Sequence, residues 1–154
     1  MNASTAGLVE GQGFFAGVPE RVADAIGALA TERNVRIGEL LFRQGEPADR
    51  FYLVRSGRVA VELYAPGRDP IVVEHVYDGD VVGWSWLVPP FRWSFDARAV
   101  EPSSLIEIDA AALRERFSTD PILGYEVIRR FTPVIARRLS SARERLVECV
   151  TEPG

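Results

Sequence analysis

Phe51-Tyr52-Leu53-Val54-Arg55-Ser56-Gly57-Arg58-Val59-Ala60-Val61 sets two short apolar runs on either side of Ser56-Gly57. The flanking residues are β-branched or aromatic, and Ser-Gly between such runs is a tight-turn signal. The same grammar continues in both directions. Upstream, Leu40-Leu41-Phe42 forms a short strand that ends at Gln44-Gly45-Glu46-Pro47. Downstream, Ala65 to Pro70 is a loop, Ile71 to Tyr77 a strand, and Asp78-Gly79-Asp80 a turn. Phe95 to Val100 and Leu105 to Ile108 complete the set. Many short strands with turn residues between them predict a barrel or sandwich.

Helical periodicity brackets this β region. Val22, Ile26 and Leu29 recur at helical spacing within Phe14 to Ala30, with Pro19 suited to a first turn. Ala110 to Phe117 reads as a short helix. Ser118-Thr119-Asp120-Pro121 is a helix start, and a helical pattern runs from Ile122 to about Val150. Pro133 lies inside it and is expected to kink or split it. Beyond Pro133, the residues Ile135, Leu139, Ala142, Leu146 and Cys149 alternate at steps of four and three, a heptad seam. The expected division is a flexible leader over 1–13, a helix and β-roll over 14–120, pairing helices over 121–150 and a tail over 151–154.

Composition narrows the function. The chain has 154 residues, 47% of them hydrophobic, which suits one folded domain. Residues 1–13 lack a basic start and an apolar core, so no secretory signal is expected there. No apolar run approaches the roughly 20 residues of a membrane helix, and a cytoplasmic location is the expectation. Net charge is -4, so the surface as a whole does not invite nucleic acid. All 18 basic residues are Arg, which removes lysine-based chemistry. One Cys and one His exclude an internal disulfide and a Cys/His zinc site. A non-enzymatic role is expected, with no cofactor.

The glycine pattern carries a family resemblance. Ile37-Gly38-Glu39-Leu40-Leu41-Phe42-Arg43-Gln44-Gly45-Glu46, the Phe51–Val61 stretch, and Tyr77-Asp78-Gly79-Asp80-Val81-Val82-Gly83 resemble the cyclic nucleotide-binding domains of catabolite-activator-type regulators and kinase regulatory subunits. The resemblance spans roughly Phe14 to Val150. It implies a mainly β fold with flanking helices: a double-stranded β-helix, jelly-roll-like, with a long C-terminal helix. It also implies a ligand-sensing regulatory module, dimeric through that helix, acting on an unknown downstream protein. The helix-turn-helix of the DNA-binding regulators does not follow the long helix in this sequence, so no DNA-binding motif is expected.

In the family, Gly83 would begin the segment that cradles the cyclic phosphate on backbone N–H groups at a short helix. In the family that segment reads Gly-Glu, a few small residues, a loop, then Arg followed by Ser or Thr, with the Glu on the ribose hydroxyl and the Arg on the phosphate. Here it reads Gly83-Trp84-Ser85-Trp86-Leu87-Val88-Pro89-Pro90-Phe91-Arg92-Trp93-Ser94-Phe95. Trp84 stands at the Glu position. Aligned backwards from Ala97-Arg98-Ala99, Trp93 stands at the Arg position and Ser94 at its polar follower. Arg92 is one residue away, and a one-residue slip in a strand turns a side chain to the opposite face. Charge-assisted hydrogen bonds contribute about 1.5–3 kcal/mol each. At about 1.4 kcal/mol per tenfold, losing both drops a micromolar site to millimolar or weaker.

Cyclic AMP binding is therefore not expected unless Arg92 reaches in. Three readings stay open: the aromatic residues fill the old pocket, they line a remodelled pocket for a flat or apolar small molecule, or a nucleotide site persists. The candidate ligand-binding residues are Gly83, Trp84, Ser85, Trp86, Leu87, Arg92, Trp93 and Ser94. The alternative to a sensor is a non-liganded interaction or scaffold domain with a Trp-filled pocket. The remaining candidates read plainly. His75 is a strand residue, Asp78 and Asp80 are turn residues, and Cys149 is a small seam residue. The arginines of the last helix, interspersed with Glu, are a solvated face.

Overall fold

The structure is a computed structural model that describes Val9 and residues 13–151. The elements run α1 (Glu20–Gly27), β1 (Ala30–Val35), β2 (Leu40–Phe42), β3 (Arg50–Ser56), β4 (Val59–Leu63), β5 (Ile71–Val76) and β6 (Val81–Val82). Then follow β7 (Asp96–Ala99), β8 (Ser103–Asp109), α2 (Ala110–Arg116) and α3 (Pro121–Thr151), with 3-10 turns at Gly13–Phe15 and Ser85–Leu87. Eight antiparallel strands form two sheets, ordered β1-β8-β3-β6 and β2-β7-β4-β5. This is the jelly-roll-like arrangement expected.

Ser56-Gly57 is a turn, but its two strands do not pair with each other. β3 pairs with β8 and β6, whereas β4 pairs with β5 and β7. The chain changes sheet at this point. Gly57 has φ +100°, and a Cβ on it would lie 2.2 Å from Ser103 Oγ. Only glycine meets both demands, left-handed backbone and direct contact with β8.

The register assigns the faces of β3. Phe51 lies opposite Ile108 and Leu53 opposite Ile106, while Tyr52 and Val54 alternate to the other side with Glu107 and Leu105. The Phe51 ring meets Trp86 at 4.9 Å and Phe131 of α3 at 5.2 Å. One face of this sheet therefore receives the helices. The inner side of α3 is set by helical spacing: Leu123, Val127, Phe131 and Val134 are all buried. Each stabilises by about 1.5–3 kcal/mol when fully buried.

The structure adds a first strand, keeps the last helix whole and buries one residue near the start of the chain. Ala30–Val35 is a strand along β8, although Ala-Thr-Glu-Arg-Asn-Val lacks an alternating apolar pattern. Its pairing and the Arg33–Glu107 contact of 2.9 Å hold it instead. Pro133 does not split the last helix, which is continuous over 31 residues. Its missing N–H leaves one backbone bond unmade, on an exposed part of the turn. Val9, inside the stretch read as a loose leader, is buried with the core. Residues 1–8, 10–12 and 152–154 and the Cys149 side chain lie outside the described parts.

Candidate functional site

The site is built where β6 ends. Gly83 leaves the strand with φ +98°, and Trp84 precedes the 3-10 turn Ser85–Leu87. The backbone N–H groups of Leu87 and Val88 donate back to Trp84 and Ser85 carbonyls, at 3.1 Å each. The loop then crosses a cis Pro89–Pro90 bond and Phe91 at φ 59°. Arg114 of α2 holds this loop twice. Its guanidinium carbon lies 4.0 Å from the Phe91 ring centroid, and Nη1 donates to the Trp86 carbonyl at 2.7 Å.

The loop next zips onto residues 45–48. Ala48 N donates to Phe91 O at 2.8 Å, Trp93 N to Glu46 O at 3.0 Å, and Gly45 N to Trp93 O at 2.9 Å. Arg92 sits in a β-bridge with Pro47. In such extended pairing, successive side chains alternate in direction. Arg92 points out and donates to the Gly45 carbonyl at 2.9 Å. Trp93 points in, 4% exposed.

The Trp93 indole stacks on Phe42, with centroids 3.7 Å apart and planes 9° from parallel. Its far edge lies against Gly83. A Cβ built on Gly83 would stand 2.6 Å from Trp93 Cη2. The space left beside Gly83 is a cavity of about 10 Å³, bounded by Phe42, Val61, Trp84, Trp93, Phe95 and Arg138 among others. That is at the threshold for a single water molecule. Pockets for small ligands run to about 300–1,000 Å³. A larger concavity, about 500 Å³, lies elsewhere: an open groove beside Asp49, Arg50, Glu107 and Asp109 that includes none of the Gly83 segment.

Of the eight expected ligand-binding residues, Gly83, Trp84, Ser85 and Trp93 line this cavity. Trp86, Leu87, Arg92 and Ser94 do not. Trp86 turns the opposite way, into Phe51, Phe117 and Phe131. Its indole N–H is buried without a hydrogen-bond partner among the described residues. Leu87 is half-buried against the core, and Arg92 and Ser94 are exposed.

Arg138 is the residue that sequence reasoning missed. It was read as part of a solvated arginine face, yet it is 3% exposed and lines the cavity. Its Nε donates to Glu74 Oε2 at 2.5 Å, and Nη2 donates to the Val81 carbonyl. Arg137 beside it donates to Glu74 at 3.1 Å and to Asp80 at 2.9 Å. Two arginines and two carboxylates thus tie α3 to β5 and to the start of β6. Burial pushes the Arg138 guanidinium below its usual pKa, and Glu74 and Asp80 oppose that push. A spacing signal existed: Arg138 continues the buried series 127, 131, 134 by one further step of four.

The outward side of α3 is apolar. Ile122, Tyr125, Ile128, Leu139, Leu146 and Val150 are at least half exposed. The heptad seam read from Ile135 onward therefore extends back past Thr132 to Tyr125. Ile135 and Ala142 on it are half-buried.

The glycine-led cradle between two jelly-roll sheets, closed by a long helix, defines a class: a regulatory domain of the cyclic-nucleotide type. The chain belongs to the cyclic nucleotide-binding domain family, whose model matches residues 32–120. It is similar to a CRP-like cAMP-activated global transcriptional regulator of Mycobacterium tuberculosis, 25% identical over 138 residues. That match covers 90% of this chain and 60% of the regulator's length. Among solved structures, a cyclic nucleotide-binding protein of Geobacter metallireducens GS-15 superposes with TM-score 0.73 and 26% identity, covering 82% of this chain and 91% of that one. The sensor domain of the regulator DNR from Pseudomonas aeruginosa shares the fold, with TM-score 0.70 and 20% identity, over 90% of this chain and 93% of its own. No helix among the described residues is long and apolar enough to cross a membrane.

Proposed function

We propose that this chain is a regulatory module whose cyclic nucleotide site is filled by its own Trp93, and which acts as a pair through α3 on a downstream protein. The supporting observation is the indole stacked on Phe42 and seated on Gly83. On the Gly83 side of the ring only about 10 Å³ remain. Arg92, the side chain that could hold a phosphate, is spent on the Gly45 carbonyl outside. The guanidinium that lines the cavity, Arg138, is already paired with Glu74. A cyclic phosphate would meet no uncommitted positive charge there and no room.

The helix clamp fits this reading. In a liganded member of such a family, ligand biases how the last helix packs. Here Glu74, Asp80, Arg137 and Arg138 tie that helix to the roll through the chain's own side chains. The exposed stripe from Tyr125 to Val150 would then be permanently available to a second copy. Thermal unfolding with cyclic AMP or cyclic GMP at millimolar concentration tests the reading. No change in melting temperature is expected, because only a ligand that prefers the folded state raises it. A saturable rise with either nucleotide would overturn the proposal.

A further inference from the structure

Trp93 and Phe42 form a wall with space on both sides. On the Gly83 side the cavity is about 10 Å³. On the other side, against Leu41, Glu46 and Pro47, there is a second one of about 140 Å³. It continues past Asp49 and Arg50, which also line the open groove of about 500 Å³. A cavity of about 150 Å³ accommodates a benzene-sized ring. The indole thus has a place to go: its benzo half can turn away from Gly83 into the second cavity. There Glu46 and Asp49 offer acceptors for an indole N–H, and Arg50 a cation for the ring face. Polar lining suits an indole less well than Phe42 does, so the turned-out state is the minor one.

What that turn would vacate is a flat slot between Gly83 and Phe42. Its walls are Val61, Phe95 and the half-buried Trp84. The one charge on it, Arg138, is paired with Glu74 at 2.5 Å. Such a slot selects for planarity and against net charge. We infer that the site is a receptor for an uncharged planar aromatic molecule of about indole size, which enters by displacing the Trp93 ring into the neighbouring cavity. This rests on the reading that Trp93 fills the site in the free protein, and turns that filling into competition between a tethered ring and a free one.

The test uses the full chain labelled with 5-fluorotryptophan and titrated with indole. Three fluorine resonances are expected from the three Trp residues, and Trp93→Phe assigns one of them. The Trp93 resonance should shift saturably with indole, while that of Trp86, buried on the far side, stays in place. Trp93→Ala, with no tethered competitor, should bind indole at least about tenfold more tightly than wild type, since a rarely open site has its affinity reduced by the open fraction. If Trp93→Ala does not fold, Trp93→Leu provides the same comparison. A wild-type Trp93 resonance unmoved up to the solubility limit of indole overturns the receptor. If indole nevertheless raises the melting temperature of Trp93→Ala, the self-filled site stands and only displacement fails. A Trp93→Ala protein that melts like wild type sinks the filling reading itself.

Discussion

The Trp93 ring and the Gly83 backbone share one space. Cη2 and Cζ3 of the indole lie 2.6 and 2.7 Å from where a Gly83 Cβ would be, a distance no side chain tolerates. Gly83→Ala should therefore carry two costs. Backbone strain at φ +98° is about 1–3 kcal/mol, and overpacking adds about 1–3 kcal/mol. In the Trp93→Ala background the second cost disappears. A double-mutant cycle by urea denaturation should show a coupling of about 0.5–3 kcal/mol. Additive effects would mean that the two residues do not meet.

Trp93→Ala alone should lower stability by about 3–5 kcal/mol, the usual cost of emptying a large aromatic site. Trp93→Phe keeps the stack on Phe42 and should cost clearly less. Trp93→Arg would bring a cation into the slot beside Arg138, and is expected to destabilise more than Trp93→Ala does.

The clamp on α3 makes an asymmetric prediction. Arg138→Ala leaves Glu74, whose side chain is 15% exposed, facing a cavity without its closest partner. The expected loss is about 3–5 kcal/mol. Arg138→Met combined with Glu74→Leu removes both charges and should cost less than Arg138→Ala alone. Chemical denaturation of the two variants beside wild type decides between a clamp and a solvated pair.

Leu139 and Leu146 test pairing. Both are more than 60% exposed, so Leu139→Glu should change monomer stability by no more than about 0.5 kcal/mol. Sedimentation equilibrium should find the wild-type chain paired at tens of micromolar and the variant monomeric. A monomeric wild type would refute pairing through α3.

Tyr52 gives a pH signature. Burial, followed by the nearby Glu107, pushes its hydroxyl up to about 12, and Arg33 pulls the other way. The unfolded phenol ionises near 10. The folded state holds the proton longer, so this stabilisation is complete below pH ~10 and disappears as pH rises towards ~12. Tyr52→Phe should flatten the stability curve in that window. Ultraviolet titration of wild type against Tyr52→Phe should show the Tyr52 phenol ionising towards pH ~12.

Much of the fold was legible because turn residues carry their geometry with them. Ser56-Gly57, Asp78-Gly79-Asp80 and the 3.6-residue spacing of α3 state their conformations locally. β1 was not legible. Thr31, Glu32, Arg33 and Asn34 become a strand only because β8 lies beside them. The site divided in the same way. The Trp-rich segment and the face-changing effect of one residue between Arg92 and Trp93 were readable from alternation. Which of the two faces inward was not, because the bonds between residues 45–48 and 91–93 fix it across a distant stretch of chain. Arg138 was hidden by its type. An arginine among arginines looks solvated until its partners Glu74 and Val81, more than 50 residues away, are in place.

The pairing of Pro47 with Arg92 has an evolutionary consequence. Inserting one residue in the loop from Val88 to Phe91, so that Phe91 takes the place of Arg92 opposite Pro47, would exchange the two directions. An arginine would enter the cradle and a tryptophan would leave it. An anion-holding pocket and a plugged one are then neighbours in sequence space, separated by a single codon gained.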